Sequence, residues 1–214
     1  MSIILSLILW LLAVTIAITV HEFAHALVAE KLGDPTARVN DRISLNPLKH
    51  YDQVGTTLLI VTSIMKAFGA PVIPFGWAKP VPFDPYNLKN PRKDAALISI
   101  AGPASNIITA TLFSLILRIP FWNLPLGILQ YIAIPIITIN VALAMFNLIP
   151  VHPLDGGKIL VGILPKDIAI EAEQILRRYG TIILLFLIIP MNGTSPIFSL
   201  ISPAINFFLN LLIP

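Results

Sequence analysis

The stretch "HEFAH", residues 21 to 25, sets two histidines four positions apart with a glutamate after the first. On a helix, residues four apart lie one above the other on the same face. His21 and His25 can therefore hold a single metal ion between their imidazoles. Glu22 projects about 100° around the helix from His21, so it can reach a water held by that metal and take its proton without being a ligand. The bland alternative is a polar cluster that ties helices together. Ionisable groups inside a membrane segment need a partner or a task, which weighs against an idle cluster.

The cost is set by what precedes the motif. Residues 1 to 20, "MSIILSLILWLLAVTIAITV", carry no charged side chain. The run is longer than a secretory apolar region and lacks both a basic start and a small-residue cleavage site, so it reads as a retained membrane helix. The whole chain of 214 residues is 56% hydrophobic and only 12% charged, with a mean hydropathy of +0.85, far from the balance of soluble domains. It is an integral membrane protein. The chain has no cysteine, which excludes disulfides and thiolate ligands and leaves nitrogen and oxygen donors for any metal. A net charge of +3 reports membrane topology rather than nucleic-acid binding.

"HEFAH" is the pattern of zinc hydrolases, whose catalytic metal takes three protein ligands and one open position. His50, His152 and Asp155 are the candidates for the third ligand. Asp155 is favoured: it stands in "FNLIPVHPLDGGKIL", where Pro150 and Pro153 end the preceding helix and Gly156 and Gly157 allow a close backbone approach. Read blandly, "PLDGG" is an ordinary turn. His152 is held between Val151 and a proline that restrains it to extended backbone, and is expected either behind the metal ligands, supporting them, or at the cytoplasmic mouth, where it would titrate near pH 6 to 7.

The elements that must position these residues are apolar helices over 3–31, 54–68, 94–118, 126–149, 179–190 and 196–213, with the second and fifth short for a span of about 20 residues. The fold expected is all-α and polytopic, with about four to six transmembrane helices. Neither an internal repeat nor a composition shift divides the chain, so 1–214 reads as one domain, with a core over about 3–165. Residues 166–178, "KDIAIEAEQILRR", form an amphipathic surface helix. "GAPVIPFGWAKPVPFDPYNLKNP" is too rich in proline and glycine for a helix. Irregular backbone at membrane depth survives only against protein or water, so this partly extended segment borders an aqueous cavity. "TARVNDRISLN" is read as a short strand pair.

Three motifs in order, "HEFAH", "AGPASN" and "NLIPVHPLDGG", resemble the site-2 protease family of intramembrane zinc metalloproteases, over about residues 15 to 165. The resemblance implies that His21, His25 and Asp155 bind one zinc ion and that Glu22 is the catalytic acid and base. It implies that Asn147, from the family's N-x-x-P pattern, orients substrate or stabilises the transition state. The substrate would be a transmembrane protein. "FGWAKPVPF" is similar to the extended segment beside the active site in compact members, and no stretch is long enough for a PDZ or CBS domain. In "AGPASN", Gly102 is read as a packing residue and Asn106 as a group that supports the site from behind. The other readings of the same residues are a metal-ion or proton transporter and an inactive scaffold that keeps the site. A glutamate between the histidines suits hydrolysis better than transport.

Lys31, Arg38, Arg42 and Lys49 follow the first helix, while nothing basic precedes it, which places that loop in the cytoplasm. "LKNPRKD" and residues 166–178 share that side, and Arg118 and Asn123 face the other. From His25 to Asp34, at 1.5 Å per residue, the metal lies roughly 14 Å below the cytoplasmic end of the helix. The expected setting is a multi-pass protein of the plasma membrane, in contact with lipid, with its active site nearer the cytoplasm. Nothing in the sequence fixes the oligomeric state.

Overall fold

A computed structural model describes residues 2–119, 126–190 and 195–214. Among these residues there are eight α-helices and no strands. They are α1 (Ile3–Lys31), α2 (Thr36–Val39), α3 (Gly55–Ala67), α4 (Pro91–Arg118), α5 (Leu126–Asn147), α6 (Asp155–Ile163), α7 (Lys166–Ile188) and α8 (Pro196–Leu212). α1, α4 and α5 are long and apolar enough to cross a membrane, and α3 and α8 are shorter apolar helices. The protein is an all-α polytopic membrane protein. Asn123 lies outside the described residues.

α1 has 29 residues, or roughly 43 Å at 1.5 Å per residue, more than the ~30 Å of a hydrocarbon core. Its C-terminal end is closed by Gly33 at φ +104°, with Gly33 N–H donating to Glu30 and Asp34 N–H to Ala29. This reversal needs a residue free of Cβ strain. Down its inner face run Ala13, Ala17, Ala26 and Ala29, all fully buried. Small side chains there let α4 and α5 come close where lipid supplies no hydrophobic drive. α4 packs against α1, α5 and α6 and is the centre of the bundle. Large side chains such as Ile8, Leu112 and Phe207 face outward, as a lipid-facing surface requires.

Two expected elements differ. The strand pair over 36–46 is instead the single turn of α2 and a loop. Asp34 Oδ1 accepts from Thr36 N–H at 3.0 Å and from its hydroxyl at 2.5 Å, which starts a helical turn. Asp41 at φ +56° then breaks any extended run. Residues 166–178 and 179–190 are one helix, α7, rather than two. Gly180 stays helical because it seats on His152: a Cβ there would meet the His152 Cβ and carbonyl at 2.7 Å. Arg118, on the far face, donates to the carbonyls of Leu211 and Leu212 at 3.0 Å and so closes the end of α8.

Candidate metal centre

His21 and His25 stand on α1 and Asp155 opens α6. His21 Nε2 lies 3.1 Å and His25 Nε2 3.2 Å from the same Asp155 oxygen, Oδ2. The rings meet edge to face, 4.5 Å between centroids. Each ring is fixed from behind. His21 Nδ1 is 2.7 Å from Asn106 Oδ1, and His25 Nδ1 is 2.7 Å from the Ile98 carbonyl. A carbonyl only accepts, so His25 Nδ1 carries the proton. The Asn106 amide donates to the Ala17 carbonyl and to Asn140 Oδ1, each at 2.9 Å, so its own oxygen is the group that faces His21. His21 Nδ1 therefore donates as well.

In the neutral rings both Nε2 atoms then turn lone pairs to a carboxylate. Two lone pairs and an anion repel one another, and a cation among them, a metal ion or a ring proton, relieves that repulsion. Bonds of about 2.0 Å in a tetrahedral zinc site separate neighbouring donors by roughly 3.3 Å, close to the distances here. The donor set fits zinc.

The packing that permits this runs through three glycines. A Cβ on Gly102 would meet His25 Nε2 at 2.5 Å and His21 Cε1 at 2.6 Å, so α4 reaches the imidazoles only because this residue has no side chain. A Cβ on Gly156 would sit 2.2 Å from the Ile149 carbonyl, and one on Gly157 3.1 Å from His152 N. "LDGG" is thus not a turn but the first turn of α6, pressed onto residues 148–152.

Glu22 and Asn147 line the same cavity of about 140 Å³, together with Pro80 and Val81. Glu22 Oε2 accepts from Val81 N–H at 3.1 Å. The Asn147 amide donates to Leu143 O at 3.1 Å. Neither His50 nor His152 joins the cluster. His50 is buried in the loop after α2, with Nε2 donating to the Ser44 carbonyl at 2.8 Å. His152 lines an adjoining cavity. Burial, with Lys158 and Arg177 nearby, holds the His152 imidazole below its ordinary pKa, so it does not titrate at the ordinary value expected of it.

Residues 72–83 are extended and belong to no sheet. Their bonds alternate. Phe75 N–H donates to Thr62 Oγ1 at 3.1 Å, the Trp77 carbonyl accepts from Thr56 at 3.3 Å, and Lys79 N–H donates to His50 O at 2.9 Å. The Lys79 carbonyl accepts from Arg42. In extended backbone, successive residues present their polar groups to opposite edges. The backbone groups of Phe75, Trp77 and Lys79 are tied down in this way, those of Gly76 and Ala78 take no partner among the described residues, and Gly76 is pressed onto α3, where a Cβ would meet the Gly55 carbonyl at 2.2 Å. At the far end, Asp34 Oδ2 accepts from Asp84 N–H at 2.7 Å and Asp34 Oδ1 from Asn87 at 2.8 Å. Burial works against the Asp34 carboxylate, but these bonds and those from Thr36 prevail and hold its pKa below the ordinary value.

Sequence reasoning missed Asn140 and Arg42. A lone asparagine in "IITINVAL" is an intramembrane polar residue, and that alone could have marked Asn140.

A helical membrane domain closed around two imidazoles, a carboxylate and a neighbouring glutamate is the architecture of a membrane metalloprotease. The chain belongs to peptidase family M50, whose model matches residues 9–124 and 123–187, and this bears out the resemblance to site-2 proteases. It is 34% identical over 203 residues to "Putative zinc metalloprotease YwhC" of Bacillus subtilis, a match covering 92% of this chain and 87% of that protein. It is 28% identical over 189 residues to "Putative zinc metalloprotease Rip2" of Mycolicibacterium smegmatis, covering 84% of this chain and 64% of the relative. No solved structure matches the chain.

Proposed function

We propose that the protein is an intramembrane zinc endopeptidase that hydrolyses peptide bonds within or near the transmembrane segments of other membrane proteins. It acts as a single domain in the plasma membrane, with its active site nearer the cytoplasm. His21, His25 and Asp155 hold one zinc ion, Glu22 is the general acid and base, and Asn147 orients the substrate. The observation that carries this reading is the meeting of two Nε2 lone pairs with the Asp155 carboxylate at 3.1 and 3.2 Å, inside a cavity that Glu22 also lines.

Zinc held there would polarise the scissile carbonyl and acidify a water. Glu22 accepts the proton as the water oxygen bonds to the carbonyl carbon. It returns a proton to the amide nitrogen as the C–N bond breaks. The hydrogen bond from Val81 N–H aims the Glu22 carboxylate. The Asn147 amide, with one N–H beyond that spent on Leu143, holds the carbonyl of the bound strand. A cavity of about 140 Å³ does not admit a helix ~10 Å across, so the substrate must unwind to enter. The segment around Trp77 to Phe83 then takes up the peptide groups that unwinding releases, as in strand addition.

Purified protein in vesicles should cut a single-span substrate and lose that activity to a chelator. Glu22→Gln should abolish cleavage while zinc content stays at one per chain. Cleavage surviving in Glu22→Gln would remove the role assigned to that residue, and zinc transport without cleavage would replace the enzyme with a carrier. Cross-links from substrate that avoid residues 77–83 would sink the edge pairing.

A further inference from the structure

Beside the catalytic cavity lies a larger one of about 550 Å³, walled by the start of α4, by α6 and by α7. Phe83 and Lys158 line both spaces, and Lys158 Nζ stands 4.9 Å from the centre of the Phe83 ring. This pair is the partition between them. Arg92, His152, Glu173 and Arg177 complete the polar wall. Its only carboxylate, Glu173, is already paired with Arg177 at 2.7 Å. Lys158 and Arg92 have no carboxylate partner among the described residues: Lys158 faces an aromatic ring, and Arg92 donates to the Leu164 carbonyl at 2.5 Å. Three cations against one carboxylate leave two positive charges on the wall. A concave wall with an excess of positive charge concentrates its field on whatever enters.

The position of this cavity relative to the extended segment gives it a use. The segment runs past Glu22 at Val81 and reaches the larger cavity at Phe83 and Pro85. A strand laid along it, with its scissile bond at the catalytic cavity, is led past the partition into the basic space. That end faces the cytoplasm in the topology read from the basic loops.

We propose that the cavity is a substrate subsite for acidic side chains, so that preferred substrates carry Asp or Glu a few residues from the scissile bond on its cytoplasmic side. Lys158 and Arg92 supply the charge. The subsite rests on the protease reading above. It also gives selectivity of an unusual sign, because membrane helices are ordinarily flanked by Lys and Arg on the cytoplasmic side, and this wall repels them. Most single-span proteins are thereby poor substrates even where their helices could unwind.

The test uses the full chain in neutral-lipid vesicles with three substrates that share one membrane segment and carry acidic, neutral or basic residues in the cytoplasmic flank. The acidic substrate should exceed the basic one in kcat/KM by about 5- to 10-fold, mostly through KM. Lys158→Glu should invert that order, with the basic flank now cut faster than the acidic one. The ratio of two substrates on one preparation is unaffected by how much of the variant folds. Equal rates for all three flanks in the wild type, or an unchanged ratio in Lys158→Glu, overturn the subsite while leaving the protease standing. Rates that follow added anionic lipid and ignore substrate charge also overturn it, and give the cavity to a lipid headgroup. If no substrate is cut, or if Glu22→Gln still cuts, the protease reading fails and the subsite falls with it.

Discussion

His21 and His25 each turn one ring nitrogen to the cavity and the other to a neighbour on α4, while Gly102 brings that helix to van der Waals contact with the rings. Across the same cavity, residues 72–83 have no helix or sheet of their own. They are held by side chains and loops: Thr56 and Thr62 from α3, Arg42 and His50 from the loop after α2, and Glu22 from α1. A metal site needs fixed donors, because a shift of a few tenths of an ångström changes coordination. A wall that must take up a strand needs free backbone groups, and a finished sheet has none. The contrast separates two kinds of damage. Changes on the helical side should cost metal, and changes on the extended side should cost substrate handling alone.

The largest effect expected is at Asp155, the proposed third ligand. Asp155→Asn should lower zinc content and abolish cleavage. His152→Ala should keep zinc and part of the activity, because His152 borders the neighbouring cavity. Metal analysis showing the reverse would move α6 to another register. A smaller effect on the same side is expected at Asn106, which touches no metal but fixes the proton on His21 Nδ1. Asn106→Ala should weaken zinc binding by about 10- to 100-fold, read by competition with a chelator of known affinity. Unchanged affinity would mean that packing against Gly102 alone aims the ring.

The helical side was also the more legible in the sequence. His21, Glu22 and His25 announce themselves because helical spacing converts directly into a shared face, and Asp155 because two glycines and two prolines bracket it. The role of Gly102 was legible only as packing, since no spacing says that the packed partners are the imidazoles of His21 and His25, far away in the chain. Asn140 was lost within an apolar run whose hydropathy hides a single amide. On the extended side, proline density excluded a helix, but which edge is tied down depends on Thr56, Thr62 and Arg42. Those residues are distant in sequence and ordinary in type. The strand pair expected over 36–46 does not form because Asp34, just outside that stretch, starts α2 with its side chain and also binds the 84–87 turn.

The smallest effect, and the sharpest for the comparison, is at Arg42. This guanidinium is 3% exposed and donates to the Lys79 carbonyl. It lies 3.5 Å from His50 Nδ1, and its charge is attracted by Glu22. Its Nε and Nη1 have no hydrogen-bond partner among the described residues. Arg42→Gln removes the charge and the reach to Lys79 while relieving the unmet donors, so the fold should not suffer. Zinc content should equal that of the wild type, and kcat/KM for a single-span substrate should fall by about ten-fold as the tied edge loosens. Loss of zinc in parallel with activity would show that the two sides of the cavity are one mechanical unit, and the division drawn between them would have to be abandoned.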